Sequence, residues 1–316
     1  GCMTKDDPYY ISAVGALGEG SSNSLSKDTD LALAIGTKLA DFTTGSWANF
    51  ENPNFKLVSV NTARYDTTKH LATPVISDAK VGLQKISEAL GDWKAPDDWY
   101  KRAIKEKNEW DAYVEKQSGP TNQEEPSYAH AVGAVYRNSD PSDIVVTAAG
   151  GLVGEVVQVW KPKQLNTFET EWGFSCMGYE ISGALGIKMA KPDQDVVVFV
   201  GDGSYLLNNT DIYSSVIYDQ KLIIIVCDNG GHMVINRLQL AKGGKEYICN
   251  LRAARATNLK FVDFENHAKS MGANAETVSS TSELEAAYKR AKDSDKTYVI
   301  TIKTHGYEWL EGTAFW

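Results

Sequence analysis

Two runs of β-branched and apolar residues, each closed by a glycine-containing turn, constrain the fold of this chain more than any other feature. The first, Asp195-Val-Val-Val-Phe-Val-Gly-Asp-Gly-Ser204, reads as a buried strand that delivers one carboxylate, Asp202, at its carboxyl end. The second, Lys221-Leu-Ile-Ile-Ile-Val-Cys227, runs into Asp228-Asn229-Gly230-Gly231. Between them, Leu206, Asn209, Ile212, Val216 and Ile217 are spaced for one helix. Strand, helix and strand in this length form a right-handed crossover between parallel strands, so Asp202 and Asn229 are expected side by side at one sheet edge. Ligands bind at that edge in open α/β sheets.

A carboxylate, an amide oxygen and a backbone carbonyl near Gly231 make a hard oxygen set suited to Mg²⁺, with positions left for phosphate oxygens and water. Gly203 and Ser204 open the following helix, whose unpaired N–H groups favour an anion. The expectation is a diphosphate held jointly by a cation and a helix start. Either turn alone reads as a structural strand end; the pair at this spacing points to a site.

Gly201-Asp202-Gly203 and Asp228-Asn229, separated by residues 204–227, resemble the signature of thiamine diphosphate-dependent enzymes, in which Gly-Asp-Gly is followed at about this distance by Asn-Asn. Asp228 stands where the signature has its first Asn, and the second, matched by Asn229, is the ligand. The resemblance implies thiamine diphosphate and Mg²⁺ as cofactors, with Asp202, Asn229 and Gly231 holding the metal and Gly201, Gly203 and Ser204 at the diphosphate. The loop Glu171 to Glu180 resembles the family's Gly-x-Met-Gly segment, so Ser175, Cys176 and Met177 are expected beneath the bend of the cofactor. Met177 is then the wedge that forces the two rings into a V; the alternative is a core methionine filling a gap. Leu207, His232 and Met233 complete the cofactor-contact candidates. His232, Asn236 and Arg237 are placed to reach a substrate, or are a loop histidine and solvated polar residues.

Ala149-Gly150-Gly151-Leu152-Val153-Gly154 nearly matches G-x-G-x-x-G, with Ala149 for the first glycine and Glu169 near the place of a ribose-binding acid. A nicotinamide dehydrogenase is the reading this loop offers by itself. Under the thiamine resemblance, Gly150 and Gly151 line the diphosphate pocket.

Four stretches, Asp41-Phe-Thr-Thr-Gly-Ser-Trp47, Glu171 to Glu180, Gly201 to Leu206 and Ile235-Asn-Arg-Leu-Gln239, together resemble one subfamily, the trihydroxycyclohexane-1,2-dione hydrolases of inositol catabolism. The resemblance covers nearly the whole chain as a middle domain and a C-terminal domain. It implies a hydrolase that opens a cyclic diketone at the bond between its carbonyl carbons to give 5-deoxyglucuronate, working as a homodimer or homotetramer. The pyrimidine-binding domain expected before the middle domain is missing, and with it the family's glutamate, so no catalytic residue is assigned in this chain. An acetolactate synthase-like carboligase or decarboxylase, and a non-catalytic cofactor-binding fragment, are the alternatives.

The fold class expected is α/β, two doubly wound parallel-sheet domains: an incomplete middle domain over 1–92, a helical linker over 93–126 and a diphosphate-binding domain over 127–316. In the first, 30–36, 56–61 and 75–76 read as strands and Leu83, Ile86 and Leu90 as a helix stripe that packs on them. Little before Asp30 shows a pattern, and the sheet is expected to lack an edge strand, as in a piece of something longer. In the last, Phe261, Phe264, Ala268 and Met271 read as one helix face, and Ser282 with Glu285 as the capping box of another. A net charge of −9 without a basic stripe excludes nucleic acid and an anionic membrane as main partners. Cys2, Cys176, Cys227 and Cys249 show no C-x-x-C spacing, fitting reduced thiols in the cytoplasm, and the five histidines show no zinc spacing.

Overall fold

A computed structural model describes residues 3–171, 173–255 and 262–311; Cys2, Phe261 and the stretch from 312 to Trp316 lie outside the described residues. The chain divides into two compact units, one of Ile11–Ala112 and one of Gly1–Tyr10 with Tyr113–Leu310.

The smaller unit runs α1 (Gly20–Asp28), β1 (Leu31–Ile35), α2 (Asp41–Thr44), β2 (Lys56–Asn61), α3 (Arg64–Thr68), β3 (Thr73–Ile76) and α4 (Ala79–Leu90). Its strands are parallel in the order β1-β2-β3. α1 gives no sequence signal because a polar core holds it instead of an apolar stripe. The buried Asn23 amide accepts the Gly15 N–H at 2.8 Å and returns a bond to the Gly15 carbonyl at 3.0 Å, and Asn49 bonds the same Asn23 oxygen at 3.1 Å. α4 corrects an expectation. Leu83 and Leu90 are exposed, and the contact with the sheet is made by Gly82, where a Cβ would stand 2.7 Å from Val60. A glycine lets the helix backbone approach β2, which turns the apolar stripe away from it. The Asp78 side chain caps α4 by accepting the Lys80 and Val81 N–H groups.

The long helix α5 (Asp97–Gln117) contains the division between the units. The larger unit continues with α6 (Tyr128–Arg137), β4 (Ile144–Thr147), α7 (Leu152–Val159), β5 (Phe168–Thr170), α8 (Tyr179–Ala190), β6 (Val196–Gly201), α9 (Asp202–Leu207), α10 (Thr210–Ile217) and β7 (Ile223–Asp228). It ends with α11 (Met233–Ala241), α12 (Phe264–Ser270), β8 (Asn274–Val278), α13 (Thr281–Asp293) and β9 (Tyr298–Lys303). All six strands are parallel, in the order β5-β4-β6-β7-β9-β8.

The strands β6 and β7 are near-continuous apolar runs because both faces are covered, as parallel sheets require. Val196, Val198, Val200, Ile224 and Val226 pack with Ile181, Ala184, Tyr205, Ile212, Phe264 and Ala268 of α8, α9, α10 and α12. On the opposite face Phe199 meets Trp160 edge-on at 6.1 Å. Strand order reverses between β4 and β6, which makes their carboxyl ends the switch point of the sheet.

Three further expectations are corrected. The single helix after Gly203 is two, broken at Asn208, whose backbone is extended and whose amide donates to Ser182 Oγ at 2.8 Å. α13 is capped by Ser280, which accepts the Glu283 N–H, two residues before the expected box; Leu284, Ala287, Tyr288 and Ala291 still face inward and are fully buried. β8 has no counterpart in the sequence reading: five residues at a sheet edge, of which Ala275 and Val278 are buried, carry too little apolar content to announce a strand.

Candidate functional site at the sheet switch point

β6 and β7 are direct neighbours, Gly201 pairing with Cys227, so the residues that follow them emerge together. Asp202 is the first residue of α9 and 5% exposed. Burial, reinforced by the charge of Asp228, pushes its carboxyl up to about 7 against the pull of the Gly203 and Gly231 N–H groups. Asp228 is nearly as buried, and burial raises it too, although it accepts the Gly230 N–H at 3.0 Å. Asn229 donates its Nδ2 to the Tyr128 hydroxyl at 2.6 Å, while its Oδ1 is buried with no partner. Gly231 stands at φ +145°, and a Cβ there would come within 2.2 Å of the Cys249 carbonyl. The loop 228–231 is pinned against that segment by a Gly231–Asn250 bridge, a His232 N–H bond to Cys249 O at 2.8 Å and a Leu251 N–H bond to Gly230 O at 2.9 Å.

A divalent cation fits this set. Two carboxylates buried side by side disfavour each other's ionised form, and a buried amide oxygen without a donor costs free energy. A dication between them would relieve both. Among the described residues no three His, Cys, Asp or Glu side chains lie together as a metal cluster, so the donor set depends on the Asn229 amide and a backbone carbonyl.

The other side of the site is built by close approaches to glycine backbone. At Gly203 an added Cβ would lie 2.7 Å from the His232 ring and 3.3 Å from Met177 Cε, so the start of α9, the methionine loop and the N-cap of α11 converge on one glycine. Met177 is partly buried and His232 exposed. Gly178, at φ +98°, packs on Asn208, and the loop before it is organised by Glu171, which accepts the Phe174 N–H at 2.8 Å and the Cys176 N–H at 2.9 Å. Ser175 takes φ +52° and donates its hydroxyl to Ala148 O at 3.3 Å. After β4, Gly150 is exposed at φ +75°, and Gly151 lies under Trp309.

Residues 148–302 match the profile of the thiamine pyrophosphate enzyme C-terminal TPP-binding domain, and residues 1–86 that of the thiamine pyrophosphate enzyme central domain. The chain belongs to the thiamine pyrophosphate enzyme family. Similar proteins named 3D-(3,5/4)-trihydroxycyclohexane-1,2-dione hydrolase occur in Geobacillus thermodenitrificans, 31% identical over 99% of this chain and 54% of the relative, and in Clostridium tetani, 32% over 94% and 52%. Another, from Bacillus subtilis, is 31% identical over 96% and 52%. The chain therefore spans about half the length of these relatives. Membership in the thiamine pyrophosphate family removes the nicotinamide reading of the Gly150-Gly151 loop, which lies with α7 inside the range matched by the TPP-binding domain.

Within this member of the family, some expected residues lie apart from the convergence at Gly203. Leu207 is 64% exposed at the far end of α9. Met233 is buried against Gly306. Asn236 is fully buried, its Nδ2 donating to Glu246 at 2.8 Å, so it faces inward. Arg237 lies 5.3 Å over the Trp309 ring, and its partial burial lowers its pKa against the opposing charge of Glu155.

Four residues of the site escape sequence reasoning. Glu180 is fully buried and joins three segments: its Oε1 accepts the Ala149 N–H at 3.2 Å, its Oε2 the Gly178 N–H at 2.7 Å, and Ser204 bonds it from α9. The Ser204 hydroxyl is thus engaged with a carboxylate, leaving its backbone N–H for an anion. Glu155, pushed up to about 7 by burial against the help of the Leu310 N–H and Arg237, is the second. A lone acid inside the apolar run Leu-Val-Gly-Glu-Val-Val of α7 is the signal that finds it. Tyr128 and Asn250 carry no such signal, since each touches the loop 228–231 only through tertiary folding. A cleft lined by Asp228, Asn229, Met233, Asn250, Lys303 and Tyr307 opens beside that loop; it shares Asn229 with the site but reaches neither Asp202 nor Met177.

Proposed function

We propose that this chain is the thiamine diphosphate- and Mg²⁺-binding part of an enzyme that hydrolyses a carbon–carbon bond of 3D-trihydroxycyclohexane-1,2-dione, yielding 5-deoxyglucuronate in inositol breakdown. The observation that carries the cofactor reading is the partnerless Asn229 Oδ1 beside the buried Asp202 carboxylate at the switch point of the sheet. The substrate follows from the names that the relatives carry. Asp202, Asn229 and the Gly231 carbonyl hold the cation; Gly150, Gly151, Gly201, Gly203 and Ser204 surround the diphosphate with backbone donors. The six-residue α9 contributes little dipole, so the cation and the N–H groups bear that anion.

Ser175, Cys176, Met177 and His232 are assigned to the bend of the cofactor and Arg237 to the substrate side; Leu207, Met233 and Asn236, which lie apart from Gly203, are left out of this assignment. The bound thiamine diphosphate supplies an electron sink for the carbon–carbon cleavage. The chain's own residues orient it and exclude water from the diphosphate end. With boundaries at 1–92, 93–126 and 127–316, the pyrimidine end is met by a domain outside these residues, in a homodimer or homotetramer. Exposed apolar side chains, Phe174 of the methionine loop at 89% and Tyr213 and Ile217 of α10, support such a covered face. The three free thiols of Cys176, Cys227 and Cys249 fit a reducing cytoplasm, and among the described residues no helix is long and apolar enough to cross a membrane.

Calorimetry tests the metal assignment: Asp202→Ala is expected to abolish Mg²⁺-dependent binding of thiamine diphosphate, and unchanged affinity would refute it. Product analysis with the cyclic dione against pyruvate separates the hydrolase from an acetolactate synthase-like carboligase.

A further inference from the structure

Tyr128 opens α6, and its place is set locally. The Ser127 side chain accepts the His130 N–H while the His130 ring accepts the Ser127 N–H, a reciprocal cap that starts the helix at Tyr128. The residue before the cap is tied to the chain after β9, where the His305 N–H donates to Pro126 O at 3.0 Å. The tyrosine ring is 4% exposed and lies edge-on to Trp309, with centroids 5.7 Å apart. Its hydroxyl reaches the ends of β6 and β7: it is 2.6 Å from Asn229 Nδ2 and 3.9 Å from where a Cβ on Gly201 would stand.

An amide side chain has an oxygen on one side and an NH₂ on the other, and only the oxygen can ligate a cation. Half a turn about the last torsion exchanges the two at small steric cost. Here the Tyr128 oxygen accepts from Nδ2, which turns Oδ1 to the opposite side, where it is buried and partnerless. We infer that Tyr128 is a positioning residue for the cation: its hydroxyl holds the Asn229 side chain in the one orientation that presents oxygen, and not NH₂, to a divalent metal. The inference rests on the assignment of Asn229 as a metal ligand made above. It adds an outer partner to a site whose carboxylate ligand, Asp202, is met by the Gly203 and Gly231 N–H groups and by Asp228, and such partners fix the geometry of metal ligands in general.

Tyr128→Phe keeps the ring, its packing on Trp309 and the start of α6, and removes one oxygen. In Mg²⁺ titrations at saturating thiamine diphosphate, read by tryptophan fluorescence, the variant is expected to bind Mg²⁺ about 10- to 100-fold more weakly, the range for losing an outer partner of a metal ligand. In an Asn229→Asp background the same change should cost less than about twofold, because a carboxylate presents oxygen whichever way it turns. Equal losses in both backgrounds indicate a merely structural tyrosine and overturn the inference, as does no loss in either. A parent chain that shows no Mg²⁺-dependent binding refutes the metal reading instead, and the ligand-free protein then decides on Tyr128. There the Asn229 side-chain NH₂ should exchange with solvent about tenfold more slowly in the parent than in Tyr128→Phe, the effect of one hydrogen bond. Equal exchange in the two refutes the contact.

Discussion

Burial of single acids is the clearest departure from ordinary residue behaviour in this protein. Glu155 sits in a helix that is buried on every side, with one oxygen on the Leu310 N–H at 2.9 Å and the other partnerless. Its carboxyl rises from an ordinary 4.5 to about 7, chiefly through burial. The unfolded chain therefore releases this proton first as pH rises, and folding stability falls between those two values and levels off above them. Glu155→Gln keeps the acceptor for Leu310 and removes the titration. Urea unfolding is expected to show the variant gaining on the parent by about 2 kcal/mol between pH 5 and pH 8. Parallel pH profiles for the two proteins would mean that Glu155 ionises normally.

At the scale of elements, the two edges of the larger sheet do different work. The carboxyl edge holds the candidate site, and the amino edge is tied by charge. Lys292, in the last turn of α13, bonds Asp140 and Asp143 at 2.7 Å each and Asp195 at 3.1 Å, just ahead of β4 and β6. Tyr288 of the same helix donates to Asp143 at 2.8 Å, and Lys221 pairs with Asp195 at 3.2 Å. Asp143 is 2% exposed, so removing Lys292 leaves a buried carboxylate without its counter-charge. Lys292→Met should cost about 3 kcal/mol in chemical denaturation, the scale for breaking a buried pair from one side. Affinity for thiamine diphosphate with Mg²⁺ should stay at the parent value, since the site lies at the other edge. A loss of affinity without a loss of stability would contradict this division of labour.

At the scale of the molecule, the chain spans about half the length of the dione hydrolases it resembles. On the proposed reading the purified 316-residue chain is inactive on the cyclic dione, and adding a polypeptide with the pyrimidine-binding region restores turnover. Turnover by the chain alone, with mass spectrometry showing no companion polypeptide, would refute that dependence.

The sequence alone determined the strands β6 and β7, their parallel order and the emergence of Asp202 and Asn229 at one edge, because period, length and turn residues are local properties that a crossover translates directly into position. It was silent on α1, held by the Asn23 and Asn49 amides, and on β8, a polar edge strand. It assigned the Leu83 and Leu90 stripe to the sheet, whereas the close approach of Gly82 turned those residues outward. Only the tertiary structure showed that Glu180 ties three loops together and that the Tyr128 hydroxyl meets the Asn229 amide. Such contacts join residues far apart in the chain, and their strength comes from burial, which no local pattern of residues encodes.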